Sequence, residues 1–330
     1  MSRNTRQNLM NYGQQPPWRA CVDRNMRIRF VTLLAGLLSA CSPTAILNAT
    51  VPSQSAVQRD IPYGIGPRRT LDVYRPTKPG ASPPLVVFLY GGSWTGGSKS
   101  TYPFVAEPLA GRGAVVVVPD YRVYPEVTYP DFLRDNAAAV AWAVQHAPEY
   151  GATGGVFVMG HSAGAYNAAM LALDPEWLRE AGIDRRQLAG VIGISTPADF
   201  LPSHDPDVIP VFGPANTPAN QPLAFADGTN PPLLLLHGDD DTTVKPRNTT
   251  TLAAAIRRRG GAVETRIYPG VAHIGIILAF APLFRGNAPV LDDVWAFIQA
   301  NRQTPAANSP TTQITPPNQA TERNVARSAM

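Results

Sequence analysis

Two cysteines, at positions 21 and 41, are all that the 330-residue chain contains. Everything beyond residue 41 lacks a thiol, so it can form no disulfide, offers no thiol nucleophile and supplies no cysteine to a metal. Charge is also sparse, at 16% Asp, Glu, Lys and Arg, and it is unevenly placed. Residues 1–29 hold six arginines against one aspartate, a net +5, while the remaining 301 residues carry 22 basic against 23 acidic side chains, a net −1. Nucleic-acid binding needs clustered basic charge on the folded domain itself, and this chain does not have it. The apolar run near the amino terminus, residues 31–38, falls far short of the roughly 20 residues that a spanning helix requires.

That short run has another meaning. Met26-Arg-Ile-Arg-Phe30 is basic, residues 31–38 are apolar, and Leu38-Ser39-Ala40-Cys41 closes the segment with small residues and a cysteine. Basic, apolar and small-residue segments in this order form a secretory signal over residues 26–40. Leu-Ser-Ala-Cys also resembles the lipobox of bacterial lipoproteins, which implies lipidation at Cys41 and a membrane-anchored protein on the periplasmic or extracellular side; plain secretion is the alternative. Met26 is then expected to be the true start, with residues 1–25 a mis-assigned extension. Residues 41–58 are small and polar and read as a tether. Residues 303–330, rich in Thr, Pro, Asn, Gln and Ala, cannot bury enough surface to offset their ordering entropy and read as a disordered tail.

Between these ends, residues 59–302 read as one catalytic domain. Residues 69–75 alternate, whereas residues 85–90 and 114–118 are uninterrupted apolar runs of the kind that suits parallel strands buried on both faces. Residues 131–146 and 290–300 carry apolar side chains at helical spacing. Further strands are expected over 191–194, 233–236 and 263–268, with a helix over 248–259. The alternation predicts an α/β fold with a mostly parallel central sheet and helices on both faces, its ligand site at the strands' carboxyl ends. In the middle, apolar residues 156–159 run straight into Gly160-His161-Ser162-Ala163-Gly164 and a small-residue helix. This strand-turn-helix context is that of a nucleophile elbow, which lifts the Ser162 hydroxyl above the sheet and leaves the Ala163 amide free to face an oxyanion.

From about residue 69 to 300 the chain resembles the α/β-hydrolase superfamily, and within it the bacterial carboxylesterases and lipases related to hormone-sensitive lipase and kynurenine formamidase. The resemblance rests on Gly160 to Gly164, on Tyr90-Gly91-Gly92-Ser93-Trp94, and on the segments around His237-Gly-Asp-Asp-Asp-Thr-Thr-Val244 and His273. It implies a Ser, Asp, His order in which His273, after the last strand, is the base for Ser162. The family pattern His-Gly-x-x-Asp-x-x-Val selects Asp241 as the orienting acid. Asp199, after the sixth strand, is the rival, and Asp239 and Asp240 read as turn residues. Three adjacent aspartates without a spaced loop do not make a calcium site, so no metal or other cofactor is expected. The amides of Gly92 and Ser93 are implied to join Ala163 in an oxyanion hole, with Tyr90 standing where the family usually has His.

Residues 197–231 are the expected lid. Prolines at 202, 206, 210, 214, 218 and 222 exclude a regular helix there and predict an ordered extended loop. Phe200 and Phe212 of the lid, with Trp94, His161 and Ile274 near the reacting groups, are expected to bound a modest apolar pocket. The resemblance therefore implies a serine carboxylesterase for short-chain esters. A kynurenine-formamidase-like amidohydrolase is one alternative, and a binding protein that keeps the fold without turnover is another.

Overall fold

A computed structural model describes residues 43–302. The signal segment, Cys41, the residues before them and the 303–330 tail all lie outside the described residues, and among those described no helix is long and apolar enough to cross a membrane.

Eight strands form one sheet in the order β1-β2-β4-β3-β5-β6-β7-β8. They are β1 (Ser55–Pro62), β2 (Thr70–Pro76), β3 (Leu85–Leu89), β4 (Val115–Pro119), β5 (Val156–His161), β6 (Leu188–Ile194), β7 (Leu233–Gly238) and β8 (Val263–Tyr268). Strands β3 to β8 run parallel, and only the β1–β2 and β2–β4 pairs are antiparallel. Every residue of β3, β4, β5, β6 and β7 is buried, as the uninterrupted apolar runs require.

Helices cover the sheet in two groups. In chain order they are α1 (Pro43–Ala49), α2 (Pro103–Gly111), α3 (Asp131–His146), α4 (Ala163–Leu173), α5 (Pro175–Glu180), α6 (Ile209–Phe212), α7 (Arg247–Arg258), α8 (His273–Leu278) and α9 (Val290–Asn301). Helices α2 and α9 touch each other over one part of the sheet, while α3, α4 and α5 pack together over another. α4 is buried along its whole length, and its run of Ala and Gly lets the helix lie close to β3, β5 and β6.

Two stretches differ from the sequence reading. Most of the expected 41–58 tether is ordered, forming α1 and the first half of β1. Polar side chains hold it there: Asn48 donates to the Thr101 carbonyl and accepts from the Phe104 amide, and buried Glu107 accepts from the Gln54 amide and the Ser55 hydroxyl. The ordered domain therefore starts before residue 59. The lid, expected to be an extended loop, contains the single turn α6 and several 3-10 turns, each with a proline in its first positions, where a missing N–H costs nothing. It is firmly tied down. The Tyr129 amide donates to the Val211 carbonyl, Leu223 to Ala198, and the Gln221 side chain accepts from the Phe200 and Leu201 amides.

Candidate active site

Parallel register brings the carboxyl ends of the central strands to one edge. Leu89 pairs with Gly160, His161 with Ile194, and Gly238 with Tyr268. Just beyond these ends lie Ser162, Asp241 and His273.

Ser162 adopts φ 55°, ψ −123°, left-handed backbone that costs a residue with a Cβ on the order of 1–3 kcal/mol. Its amide donates to the Ile194 carbonyl at 2.9 Å, and its carbonyl accepts from Ala165 and Tyr166, so the turn is anchored to β6 and to α4 at once. Glycine is required on both sides. A Cβ on Gly160 would overlap the Gly164 carbonyl, and one on Gly164 would overlap the Leu89 and Tyr90 carbonyls of the β3 end. The Ser162 hydroxyl makes no capping bond to α4 and lies 2.9 Å from His273 Nε2.

His273 begins α8. Its Nδ1 lies 2.7 Å from Asp241 Oδ2. An ionised carboxylate can only accept, so Nδ1 carries the proton and Nε2 is left to accept from the serine hydroxyl. Asp241 is 2% exposed. Burial alone would raise its pKa, but the His237 ring 3.4 Å away, with hydrogen bonds from His273 and the Val244 amide, outweighs it and holds the carboxyl well below the usual carboxylate range. The Thr243 and Val244 amides reach its other oxygen at 3.0 and 2.8 Å. Asp199, the rival acid, makes no bond to His273. Its carboxylate faces Arg247 at 3.8 Å and the Gln221 amide at 3.4 Å. Asp240 is exposed, and Asp239 does more than turn the chain, because it accepts from the Gly270 amide at 2.6 Å and so ties the acid's loop to that of His273.

On the β3 side, Gly92, Ser93 and Trp94 have φ of 135°, 50° and 58°. Within the described residues the amides of Gly92, Ser93 and Ala163 donate to no acceptor. Tyr90 is buried, and its hydroxyl donates to Asp120 Oδ1 at 2.8 Å and accepts from Arg68, which also binds the Gly97 carbonyl. Three free amides near one serine suit an incipient oxyanion.

The expected pocket residues are placed unequally. Phe200 is half-buried and Ile274 is 57% exposed beside His273, whereas Trp94 and Phe212 are buried and pack edge-on. His161 is also buried, and its Nε2 lies 3.1 Å from the His273 carbonyl, so it stands behind the base rather than lining a pocket. Burial, then the neighbouring His273, lowers its pKa to about 3, which keeps the ring neutral. His237 had no expected role. It is fully buried under the acid, with Nε2 2.8 Å from the Val244 carbonyl and Nδ1 2.8 Å from Thr249 Oγ1. Its only sequence signal was its place at the head of the His-Gly-x-x-Asp pattern. A cleft of about 640 Å³ bounded by Arg179, Asp184, Arg185 and Arg186 opens instead near the start of β6, at the opposite edge, where Arg186 pairs with Asp184 and Arg185 with Asp227.

Residues 71–256 match the family model described as BD-FAE, more than half of the chain. The chain belongs to this family. Ser162 and Asp241 fall inside the matched region, and His273 lies just beyond it. Among curated relatives, the kynurenine formamidase of Salmo salar is 34% identical over 161 residues, 48% of this chain and 53% of that protein. Esterase LipC of Mycobacterium tuberculosis is 35% identical over 132 residues, 37% of this chain and 32% of that protein. The BD-FAE chain thus spans about half or less of the length of these relatives. Among solved structures, the hyperthermophilic esterase of Pyrobaculum calidifontis superposes with a TM-score of 0.64 at 26% identity, covering 78% of this chain and 90% of that one. The propionate-bound esterase Est2 of Thermogutta terrifontis does so with a TM-score of 0.61 at 25% identity, covering 75% and 94%. The fold is that of the α/β-hydrolase esterases.

Proposed function

We propose that this chain is a serine carboxylesterase that hydrolyses short-chain esters through an acyl-enzyme. The observation that carries the reading is the continuous Ser162–His273–Asp241 hydrogen-bond chain, with links of 2.9 and 2.7 Å, beside three unengaged amides. Ser162 Oγ attacks the ester carbonyl carbon while its proton passes to His273 Nε2. Asp241 steadies the imidazolium, and the Gly92, Ser93 and Ala163 amides hold the oxyanion. As the tetrahedral adduct collapses, His273 returns the proton to the departing alcohol oxygen. Water then attacks the acyl carbon, giving its proton to His273, and the carboxylic acid leaves as Ser162 regains its hydrogen.

Short acyl chains are favoured because Trp94 and Tyr166 pack ring against ring with Phe200 and Phe212 of the pinned lid. Each further buried methylene is worth about 0.8 kcal/mol only where space exists for it. The likeness to a protein named kynurenine formamidase favours a second reading, cleavage of an aryl formamide by the same steps.

Three variants and a substrate panel test both. Ser162→Ala should lower kcat by on the order of 10⁴-fold or more, and Asp241→Asn by a similar order, with Asp199→Asn changing it by less than about 3-fold. Among p-nitrophenyl esters, acetate to butyrate should give the highest kcat/KM, well above N-formylkynurenine. Preference for lauroyl esters or the formamide would overturn the short-chain reading. No turnover of any of them would favour a binding protein.

A further inference from the structure

The strained part of the loop after β3 is tied to the rest of the molecule largely through Trp94. Ser93 and Trp94 both sit in left-handed backbone, which a residue with a Cβ keeps only when its surroundings impose it. Within the loop, the Thr95 and Gly96 amides merely return to the Gly92 carbonyl. Trp94 reaches further. Its indole N–H donates to Asn167 Oδ1 at 3.0 Å, its carbonyl accepts from the Tyr124 amide at 2.8 Å, and its ring meets Tyr166 edge-on. Trp94 is 3% exposed and Asn167 is fully buried.

Asn167 is out of place by composition. It lies five residues beyond Ser162 in α4, whose other residues are small, apolar or aromatic. Its amide nitrogen has no partner among the described residues. A buried carboxamide that uses only part of its bonding capacity is a poor choice for a helix packed on a sheet. What it adds there is the acceptor for the indole.

We propose that Asn167 is a positioning residue for the oxyanion hole, its hydrogen bond to Trp94 locking the loop that bears the Gly92 and Ser93 amides onto the helix whose first residue bears the Ala163 amide. The inference rests on the serine-esterase reading above. Asn167 touches no reacting atom. The hole is built from two chain segments about 70 residues apart, and the bond crosses that junction. A donor serves only within about 2.7–3.1 Å of the developing oxyanion, and a displacement of about 1 Å can lower the rate on the order of 100-fold. Because the charge appears only in the transition state, the loss belongs in kcat rather than KM.

Asn167→Leu removes the acceptor at similar volume. It should lower kcat on p-nitrophenyl acetate by roughly 10- to 100-fold, with KM within about 3-fold of the parent. Affinity for a trifluoromethyl ketone, which forms an oxyanion adduct with the serine, should fall by the same factor as kcat/KM, and the acidic limb of the pH profile should not move. Trp94→Phe removes the donor and stands in if Asn167→Leu does not fold. Where both fold, the double variant should be no slower than the slower single one, because each breaks the same bond. Unchanged kcat, ketone affinity that does not follow kcat/KM, a displaced acidic limb or additive losses would overturn the proposal. Full activity of Ser162→Ala would instead overturn the esterase reading beneath it.

Discussion

The elbow at Ser162 and the loop after β3 leave the ends of two adjacent strands, and both bend through left-handed backbone, but they are held by different means. The elbow is held by backbone against backbone, with Gly160 and Gly164 packed onto carbonyls that leave no room for a Cβ. The loop is packed on backbone at Gly91 and Gly92 and takes one backbone bond, from the Tyr124 amide to the Trp94 carbonyl, but it leans also on side chains brought from elsewhere, Asn167 on Trp94, and Asp120 and Arg68 on Tyr90. A turn of the first kind writes its constraint into five consecutive letters. A turn of the second kind draws also on partners spread over a hundred residues, which its own five letters do not record.

The largest expected effect breaks the elbow. Gly164→Ala must push α4 away from β3 and should cost more than about 4 kcal/mol or abolish folding, while Gly96→Ala in the loop, where an added Cβ meets nothing within 4 Å, should cost less than about 1 kcal/mol. Urea unfolding of the two variants compares them directly. Equal losses would mean that both turns depend on backbone packing.

A smaller effect follows from His161, the elbow residue that supports the base. Its pKa is lowered to about 3 in the folded protein, against an ordinary value of 6.5. Between these values the unfolded chain binds the proton and the folded one does not, so stability is full above about pH 6.5 and falls on acidification. The loss approaches about 2 kcal/mol by pH 5. His161→Gln keeps a donor for the His273 carbonyl and should flatten stability over pH 5–6.5. An unchanged slope in thermal unfolding would assign the acid sensitivity to other groups.

Tyr90→Phe, on the loop side, should be mildest. Loss of the hydroxyl bond to Asp120 should cost about 1 kcal/mol and slow kcat by less than about 10-fold, measurable by urea unfolding and ester kinetics. A loss as large as that for Gly164→Ala would erase the distinction between the two turns.

The same distinction accounts for what could be read in advance. The buried central strands are visible as apolar runs because both of their faces are covered, and the order of strands and helices follows from that alternation. β1 escaped notice because it is an antiparallel edge strand, mostly exposed, with a polar pattern that looks like a tether. The turns of the lid escaped because a proline excludes the interior of a helix but not its first turn. His237 and His161 were visible as letters, but their bonds depend on how the loops after β7 and β8 fold back, which brings the Val244 carbonyl to His237 and the His273 carbonyl to His161.

By itself the sequence determined the buried central strands, the strand-turn-helix at Ser162 and the position of His273 after the last strand, because each depends on residues adjacent in the chain and on periodicity. Only the tertiary structure decided which aspartate meets His273, that Asp120 and Arg68 hold the Tyr90 hydroxyl, and that Asn167 reaches Trp94. Those outcomes depend on distances of about 3 Å between side chains 22 to 73 residues apart, and such distances exist only once the strands are in register.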